Sequence, residues 1–136
     1  MLTTGMLAVG LFLAGCSGAA ASPMVHWSSP PFPYEGDAPA GFSVSLATAD
    51  RVDLTWGASG DVLRLELVPA VTTPPTAAFD TACGSHECTS SLVVVRGDLR
   101  CTYMDRFSTD VFDDEPTEDE LEARLEPILR SLRRRP

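Results

Sequence analysis

Apolar residues alternate with other residues along three stretches in the middle of the chain. The alternating positions are Phe42, Val44 and Leu46, then Val52, Leu54 and Trp56, then Leu63, Leu65 and Leu67. A period of two is typical of a β-strand with one face against a core. Turn-forming residues separate the stretches, at Ala49-Asp50 and over 57–61. The pattern therefore predicts three strands joined by short turns.

Two further apolar stretches, 91–96 and 99–104, flank Gly97-Asp98 and predict a β-hairpin. The Pro- and Thr-rich segment 69–80 predicts a long loop, and 107–112 a short last strand. Since the sequence predicts no helix between these strands, we expect an antiparallel sheet, curled or doubled into a sandwich.

The end of the chain has a different period. Apolar residues recur at helical spacing, at Leu121, Leu125, Ile128, Leu129 and Leu132. Thr117 and Glu120 have the spacing of a capping box, and we expect Pro127 to kink the helix or split it. The sequence predicts a helix over 118–134, so that residues 42–136 form a mainly β domain. Its expected fold class is a small antiparallel β-sandwich with a C-terminal amphipathic helix.

The stretch Val52-Asp53-Leu54-Thr55-Trp56 resembles the tryptophan-bearing strand of fibronectin-type and immunoglobulin-like domains. The resemblance covers five residues and implies a sandwich rather than another β architecture.

The N-terminal apolar run 6–14 is shorter than the roughly 20 residues that cross a membrane, and its length suits a signal peptide. It continues into Leu13-Ala14-Gly15-Cys16, which resembles the lipobox of bacterial lipoproteins. The resemblance implies a signal peptide over 1–15 and a mature chain anchored to the membrane by lipid on Cys16. Ser17, in place of an Asp, implies the outer membrane if the host is Gram-negative.

Residues 16–41 are rich in Ser, Gly, Ala and Pro, a composition that predicts an extended tether between the anchor and the domain. Trp27, Phe32 and Tyr34 interrupt it and leave open that part of the segment docks on the domain.

Three cysteines remain besides Cys16: Cys83, Cys88 and Cys101. In an exported protein we expect two of them to form a disulfide, and the short segment between Cys83 and Cys88 favours that pair. Cys101 is then a buried thiol or an intermolecular partner. The alternative is structural zinc, for which Cys83, His86, Cys88 and Cys101 supply a complete tetrahedral ligand set.

The net charge of the chain argues against one class of function. The chain of 136 residues carries 10 Lys+Arg against 19 Asp+Glu, a formal net charge of −9. This balance argues against nucleic-acid binding, which needs a basic face. All the cations are Arg, and four of them, Arg130, Arg133, Arg134 and Arg135, lie near the end of the predicted helix. Complementing the helix dipole is the favoured interpretation of that cluster, and contact with anionic lipid is the alternative.

The chain lacks the motifs of common enzymes, such as Gly-x-Ser-x-Gly or His-Glu-x-x-His. A serine triad would have to recruit His26 or His86. The remaining candidates are a calcium site in the acidic run and the tripeptide Arg96-Gly97-Asp98, for which a solvated surface and a hairpin turn are the favoured interpretations. The acidic residues of that run are Asp105, Asp110, Asp113, Asp114, Glu115 and Glu118.

The sequence thus predicts a lipid-anchored cell-envelope lipoprotein that acts as a non-enzymatic binding or structural module without a cofactor. Its partners are the membrane, through Cys16, and an unidentified envelope protein or glycan.

Overall fold

The computed structural model describes residues 23–70, 76–109 and 115–136, which form two antiparallel sheets and a helix near the C-terminus. The elements are β1 Met24–Ser28, β2 Tyr34–Pro39, β3 Phe42–Ala47, β4 Arg51–Trp56, β5 Val62–Leu67, β6 Thr76–Cys83, β7 Glu87–Arg96, β8 Leu99–Ser108, α1 Glu118–Ser131 and β9 Arg133–Arg134. The strand order is β1-β2-β9 in the small sheet and β3-β4-β5-β8-β7-β6 in the large one. The predicted class, a small β-sandwich with a C-terminal helix, is confirmed.

The core lies where the large sheet meets α1 and the small sheet. The alternating positions of β4 and β5 supply Val52, Leu54, Leu63 and Leu65, all with 0% exposure. The helix supplies Leu121, Leu125, Ile128 and Leu129. Burying each such aliphatic side chain stabilises the fold by about 1.5–3 kcal/mol, so this shared core fixes α1 against the large sheet.

The prediction of a tether over 16–41 is wrong for the strands β1 and β2, which pair with each other from Met24↔Pro39 to Ser28↔Glu35. Trp27 is 4% exposed and Phe32 is fully buried. These two aromatic side chains provide the apolar burial that the surrounding Ser, Gly and Pro cannot. The folded domain therefore includes β1 and does not begin at residue 42.

Two other boundaries differ from the prediction. Residues 76–80, expected in a loop, belong to the edge strand β6, which pairs with β7 through backbone hydrogen bonds despite its small side chains. Of the short last strand expected over 107–112, Phe107 and Ser108 are the end of β8, and 110–112 lie outside the described residues. The hairpin of β7 and β8 is confirmed, with Gly97 at φ 59° in its two-residue turn, a conformation that favours glycine.

The predicted capping box at the start of α1 is confirmed. The Glu120 backbone N–H donates to Thr117 Oγ1 at 3.2 Å, and the Thr117 N–H donates to Glu120 Oε1 at 2.9 Å. The helix is not split at Pro127 and ends at Ser131, before the predicted residue 134. Its end is fixed to β2 by Ser131 Oγ, which accepts from the Asp37 N–H at 2.8 Å.

The residues after α1 join the edge of the small sheet, where β9 pairs with β2. Arg133, Arg134 and Arg135 are here called the C-terminal clasp. Their partners lie mainly in β2 and the loop before it: Arg133 pairs with Glu35 at 3.0 Å, and Arg135 Nε donates to the Phe32 carbonyl at 2.9 Å. The predicted dipole role is wrong for these three arginines because they lie beyond the helix; only Arg130 is in its last turn.

Candidate functional site

A cleft runs between α1 and one end of the large sheet. Its first part, here called the apolar cleft, has a volume of about 450 Å³, within the range of small-molecule sites. It is lined by Met24, Pro39, Ala40, Trp56, Ser59, Asp61, Tyr103, Ala123, Arg124 and Pro127. Aromatic, methionine and proline side chains dominate this lining, which suits the binding of an apolar group.

The second part, here called the polar cleft, has a volume of about 410 Å³. It is lined by Ser59, Asp61, Asp105, Arg106, Phe107, Ser108 and Arg124. Ser59, Asp61 and Arg124 line both parts. The two parts therefore adjoin, with an apolar end and a charged end.

A hydrogen-bonded network of four side chains stands where the two parts meet. Tyr103 donates from its hydroxyl to Asp61 Oδ2 at 2.6 Å, and Arg124 Nη1 lies 3.4 Å from the same oxygen. Arg124 Nη1 also donates to Asp105 Oδ2 at 2.5 Å. Asp61 and Asp105 are 6% and 9% exposed, so one guanidinium compensates two nearly buried carboxylates.

The protonation states of this network follow from burial and neighbouring charge. Burial, together with the hydrogen bond to Asp61, raises the pKa of Tyr103 well above its usual value, so the hydroxyl stays protonated as a donor. Burial alone lowers the pKa of Arg124, but the hydrogen bond and charge of Asp105 outweigh it and raise that pKa. Tyr103 thus stays a neutral donor and Arg124 a cation across the physiological range.

Arg106 differs from the other arginines of the chain. It extends from β8 to the turn after β4, where a Cβ at Gly60 would lie 4.0 Å from its Nε. Each of the other arginines forms an ion pair or donates a side-chain hydrogen bond. Arg106 does neither with the residues that the structure describes. The polar cleft therefore contains an exposed cation without an intramolecular partner in that part of the chain.

The cleft also lies where the chain enters the domain. The Ala40 N–H donates to the Pro23 carbonyl at 2.9 Å, and Ala40 and the neighbouring Met24 both line the apolar cleft. Residues 17–22 connect Pro23 to Cys16, which lies outside the described residues. Fully extended, the chain from Cys16 to Pro23 spans about 25 Å, so Cys16 lies within that distance of Pro23, which precedes the rim residue Met24.

The cysteines are distributed as the favoured interpretation predicted. Cys83 and Cys88 form a disulfide where β6 and β7 meet, and Cys101 is a free thiol in β8 with 1% exposure. Burial raises the pKa of Cys101 to about 12, which keeps this thiol protonated and unreactive.

The structure does not favour the zinc alternative. The sulfurs of Cys83 and Cys88 are bonded to each other, while Cys101 pairs with Val94 and Leu65 in the middle of the sheet. Across the three described ranges, no group of three or more His, Cys, Asp or Glu side chains is arranged to hold a metal ion.

The remaining candidates are dispersed over the molecule. His86 is exposed at the turn after β6, and His26 lies on β1 with its Nδ1 3.2 Å from Asp37. Asp98 of the Arg-Gly-Asp tripeptide accepts a hydrogen bond from the Tyr34 hydroxyl at 2.7 Å, so its carboxylate stabilises the fold. In the acidic run, Asp105 is bound to Arg124, and Glu115 and Glu118 are exposed near the start of α1. Asp110, Asp113 and Asp114 lie outside the described residues.

Of the four residues in the cleft network, only Asp105 was a candidate from the sequence, as part of the acidic run. Asp61 lies in a segment that was interpreted only as a turn, Tyr103 in a strand and Arg124 on the polar side of α1. The available signal was a charged residue, Arg124, one position before the core residue Leu125 of an amphipathic helix. That signal does not identify the strand side chains that lie opposite the helix.

No protein-family model matches this chain, and no curated protein matches it either. Within the described ranges, no helix is both long and apolar enough to cross a membrane.

Proposed function

We propose that the chain is an exported lipoprotein, anchored by lipid on Cys16, whose β domain binds a small ligand in the cleft beside α1. The observation that carries the binding role is the cleft itself, which combines an apolar end with a charged end. The motif Leu13-Ala14-Gly15-Cys16 supports the anchor. Together they describe a binding module at the cell envelope.

The disulfide supports the exported location. Disulfides form and persist outside the reducing cytoplasm, and Cys83 and Cys88 face each other directly across the β6–β7 pair. Cys101 has no such opposite cysteine, because its neighbours across the sheet are Val94 and Leu65. The disulfide therefore follows from the register of β6 and β7, which places Cys83 opposite Cys88, and not from the number of cysteines in the chain.

The chemistry of the network supports binding rather than catalysis. General acid–base catalysis needs a group whose pKa is near the working pH, and a nucleophile needs an adjacent base. In the cleft the pKa of Tyr103 is raised away from neutrality, and Asp61 and Asp105 are hydrogen-bonded to Arg124. Such an arrangement is rigid and pre-organised, which reduces the entropy lost when a ligand binds.

The anchor is tested by fractionating bacterial cells that express the full chain. We expect the wild type in the membrane fraction and Cys16→Ala outside it, because loss of the thiol removes the site of acylation. Cys101→Ala is the matched control, since it removes a cysteine outside the motif and should leave the protein membrane-bound. Unchanged membrane association of Cys16→Ala would contradict the anchor.

A further inference from the structure

We infer that the cleft binds an amphiphile, with one acyl chain along the apolar cleft and an anionic carboxylate or phosphate head on Arg106. This inference rests on the proposed function, because it identifies the class of ligand for the same cleft. It derives from the shape of the site, from the distribution of charge within it and from the place where the chain enters the domain.

The apolar cleft suits a flexible hydrocarbon chain. Trp56 and Pro39 line the side formed by the sheets, and Ala123 and Pro127 line the side formed by α1. Met24, 43% exposed at the rim, adds an unbranched side chain that adapts to such a surface. Proline supplies no N–H donor along these walls, so they favour a ligand without hydrogen-bonding groups of its own.

The charged side chains of the polar cleft determine which head group of the ligand can bind there. Its two carboxylates, Asp61 and Asp105, are both turned towards Arg124, and Asp61 also accepts from Tyr103. Arg106 faces the same space and has no ion-pair partner within the described residues. A carboxylate or phosphate there forms a charge-assisted hydrogen bond without displacing an existing one.

The anchor supplies a membrane and therefore a source of such a ligand. Met24 and Ala40 lie at the rim, and Cys16 is at most about 25 Å of chain away from Pro23, which adjoins Met24 and accepts from Ala40. The acyl chain comes either from a free lipid of the membrane or from Cys16 itself. The head on Arg106 is present only in the free lipid, so the two sources differ in their dependence on Arg106.

The test measures quenching of Trp56 fluorescence in the full chain with neutral phospholipid vesicles. The probe is a sixteen-carbon fatty acid that carries a nitroxide on its chain, compared with the matching fatty alcohol. The chain contains two tryptophans, and Trp27→Phe leaves only Trp56. The Trp27 indole N–H has no hydrogen-bond partner among the described residues, so this background leaves no group newly unpaired.

Saturable quenching by the fatty acid is expected, and Arg106→Gln should weaken it about tenfold while leaving the alcohol unaffected. Arg100→Gln is the matched control, because Arg100 is also exposed on β8 but lies outside the cleft. Ala123→Phe should abolish quenching by both probes, and Ala82→Phe, at an exposed position on β6, should change neither.

The two sources separate in a comparison of wild type with Cys16→Ala. Quenching in both supports a free lipid as the ligand, whereas quenching only in Cys16→Ala identifies the chain's own acyl group as the occupant and contradicts an anionic head on Arg106. Absence of quenching in both, or equal quenching in Ala123→Phe, would overturn the inference. Membrane fractionation is measured separately, so the lipoprotein proposal can stand when the acyl site fails.

Discussion

The C-terminal clasp and the cleft both combine arginines with carboxylates, but they use them differently. In the clasp, Arg133 and Arg134 each have one carboxylate partner, Glu35 and Asp98, and the pairs connect the residues after α1 to β2 and to the turn between β7 and β8. In the cleft, Arg124 serves two carboxylates, and Arg106 is left without a partner in the described residues.

This difference separates charged groups that stabilise the fold from charged groups that are available to a ligand. The clasp lies on the surface, where ion pairs are screened by water and each contributes little. In the cleft network the two carboxylates and Tyr103 are nearly buried, so a missing partner there destabilises the fold much more. Substitutions in the two regions should therefore differ in size even where the chemistry removed is the same.

The largest effect is expected from Tyr103→Phe. It removes a hydrogen bond to the nearly buried Asp61 carboxylate and should lower the free energy of unfolding by about 1.5–3 kcal/mol. Tyr34→Phe is the matched control, since Tyr34 also donates to an aspartate, Asp98, which is the more exposed partner of Arg134 in the clasp. Urea unfolding of both variants measures the contrast, and equal losses would remove the distinction between the two regions.

Gly36→Ala tests how closely β2 approaches the end of α1. A Cβ at Gly36 would lie 2.9 Å from Ser131 Oγ and 3.0 Å from Leu132 Cδ2. Because Ser131 Oγ also accepts from Asp37, the crowding should reduce stability by about 1–3 kcal/mol. Gly57→Ala is the control, with no atom within 4 Å of its added Cβ. Thermal unfolding that fails to separate the two variants would contradict the packing described here.

Asp53 presents the reverse of the Arg124 arrangement, because one carboxylate accepts from two arginines, Arg51 and Arg64. Burial alone raises the pKa of Asp53, but these hydrogen bonds outweigh it and lower the pKa. A lowered folded-state pKa means that the stabilisation is present above about pH 4, the unfolded value, and is lost as the pH falls through the folded value.

Asp53→Asn should therefore reduce stability by about 1 kcal/mol at neutral pH and by less in acid. Urea unfolding of wild type and variant at several pH values between neutral and strongly acidic measures the difference. A difference that stays constant over this range would show that the charge of Asp53 does not contribute.

The smallest expected effects on stability are those of substituting Arg134 and Arg106. Arg134→Gln should destabilise the protein by about 0.2–1 kcal/mol, less at high salt, because its pair with Asp98 is half exposed. Arg106→Gln should leave stability within about 0.5 kcal/mol of wild type. A loss in Arg106→Gln clearly above about 0.5 kcal/mol that shrinks at high salt would mean that Arg106 has a structural partner.

Local patterns in the sequence predicted much of the fold because the forces behind them are local. The alternation in β4 and β5, the Gly97-Asp98 turn and the capping box at Thr117 each depend on residues close together in the chain. The prediction worked less well in β3, where a bulge between Val44 and Leu46 interrupts the pairing and leaves these residues 40% and 36% exposed.

Contacts between distant parts of the chain were not predictable in this way. The small sheet forms because Trp27 and Phe32 join a core that includes residues of α1, about one hundred positions later. The cleft likewise brings Asp61, Tyr103 and Arg124 together from three separate elements. Neither composition nor periodicity records which distant faces meet, so a proline-rich segment was interpreted as a tether and the cleft was missed.

The most direct test of the account is the intact mass of the full chain from a bacterial host. Its thiols are alkylated in the native protein, after unfolding, and after unfolding with reduction. We predict loss of residues 1–15, an acylated Cys16, a Cys101 that is alkylated only after unfolding, and two further thiols that are alkylated only after reduction. Retention of residues 1–15 with Cys83 and Cys88 free to react would contradict both the anchor and the exported location.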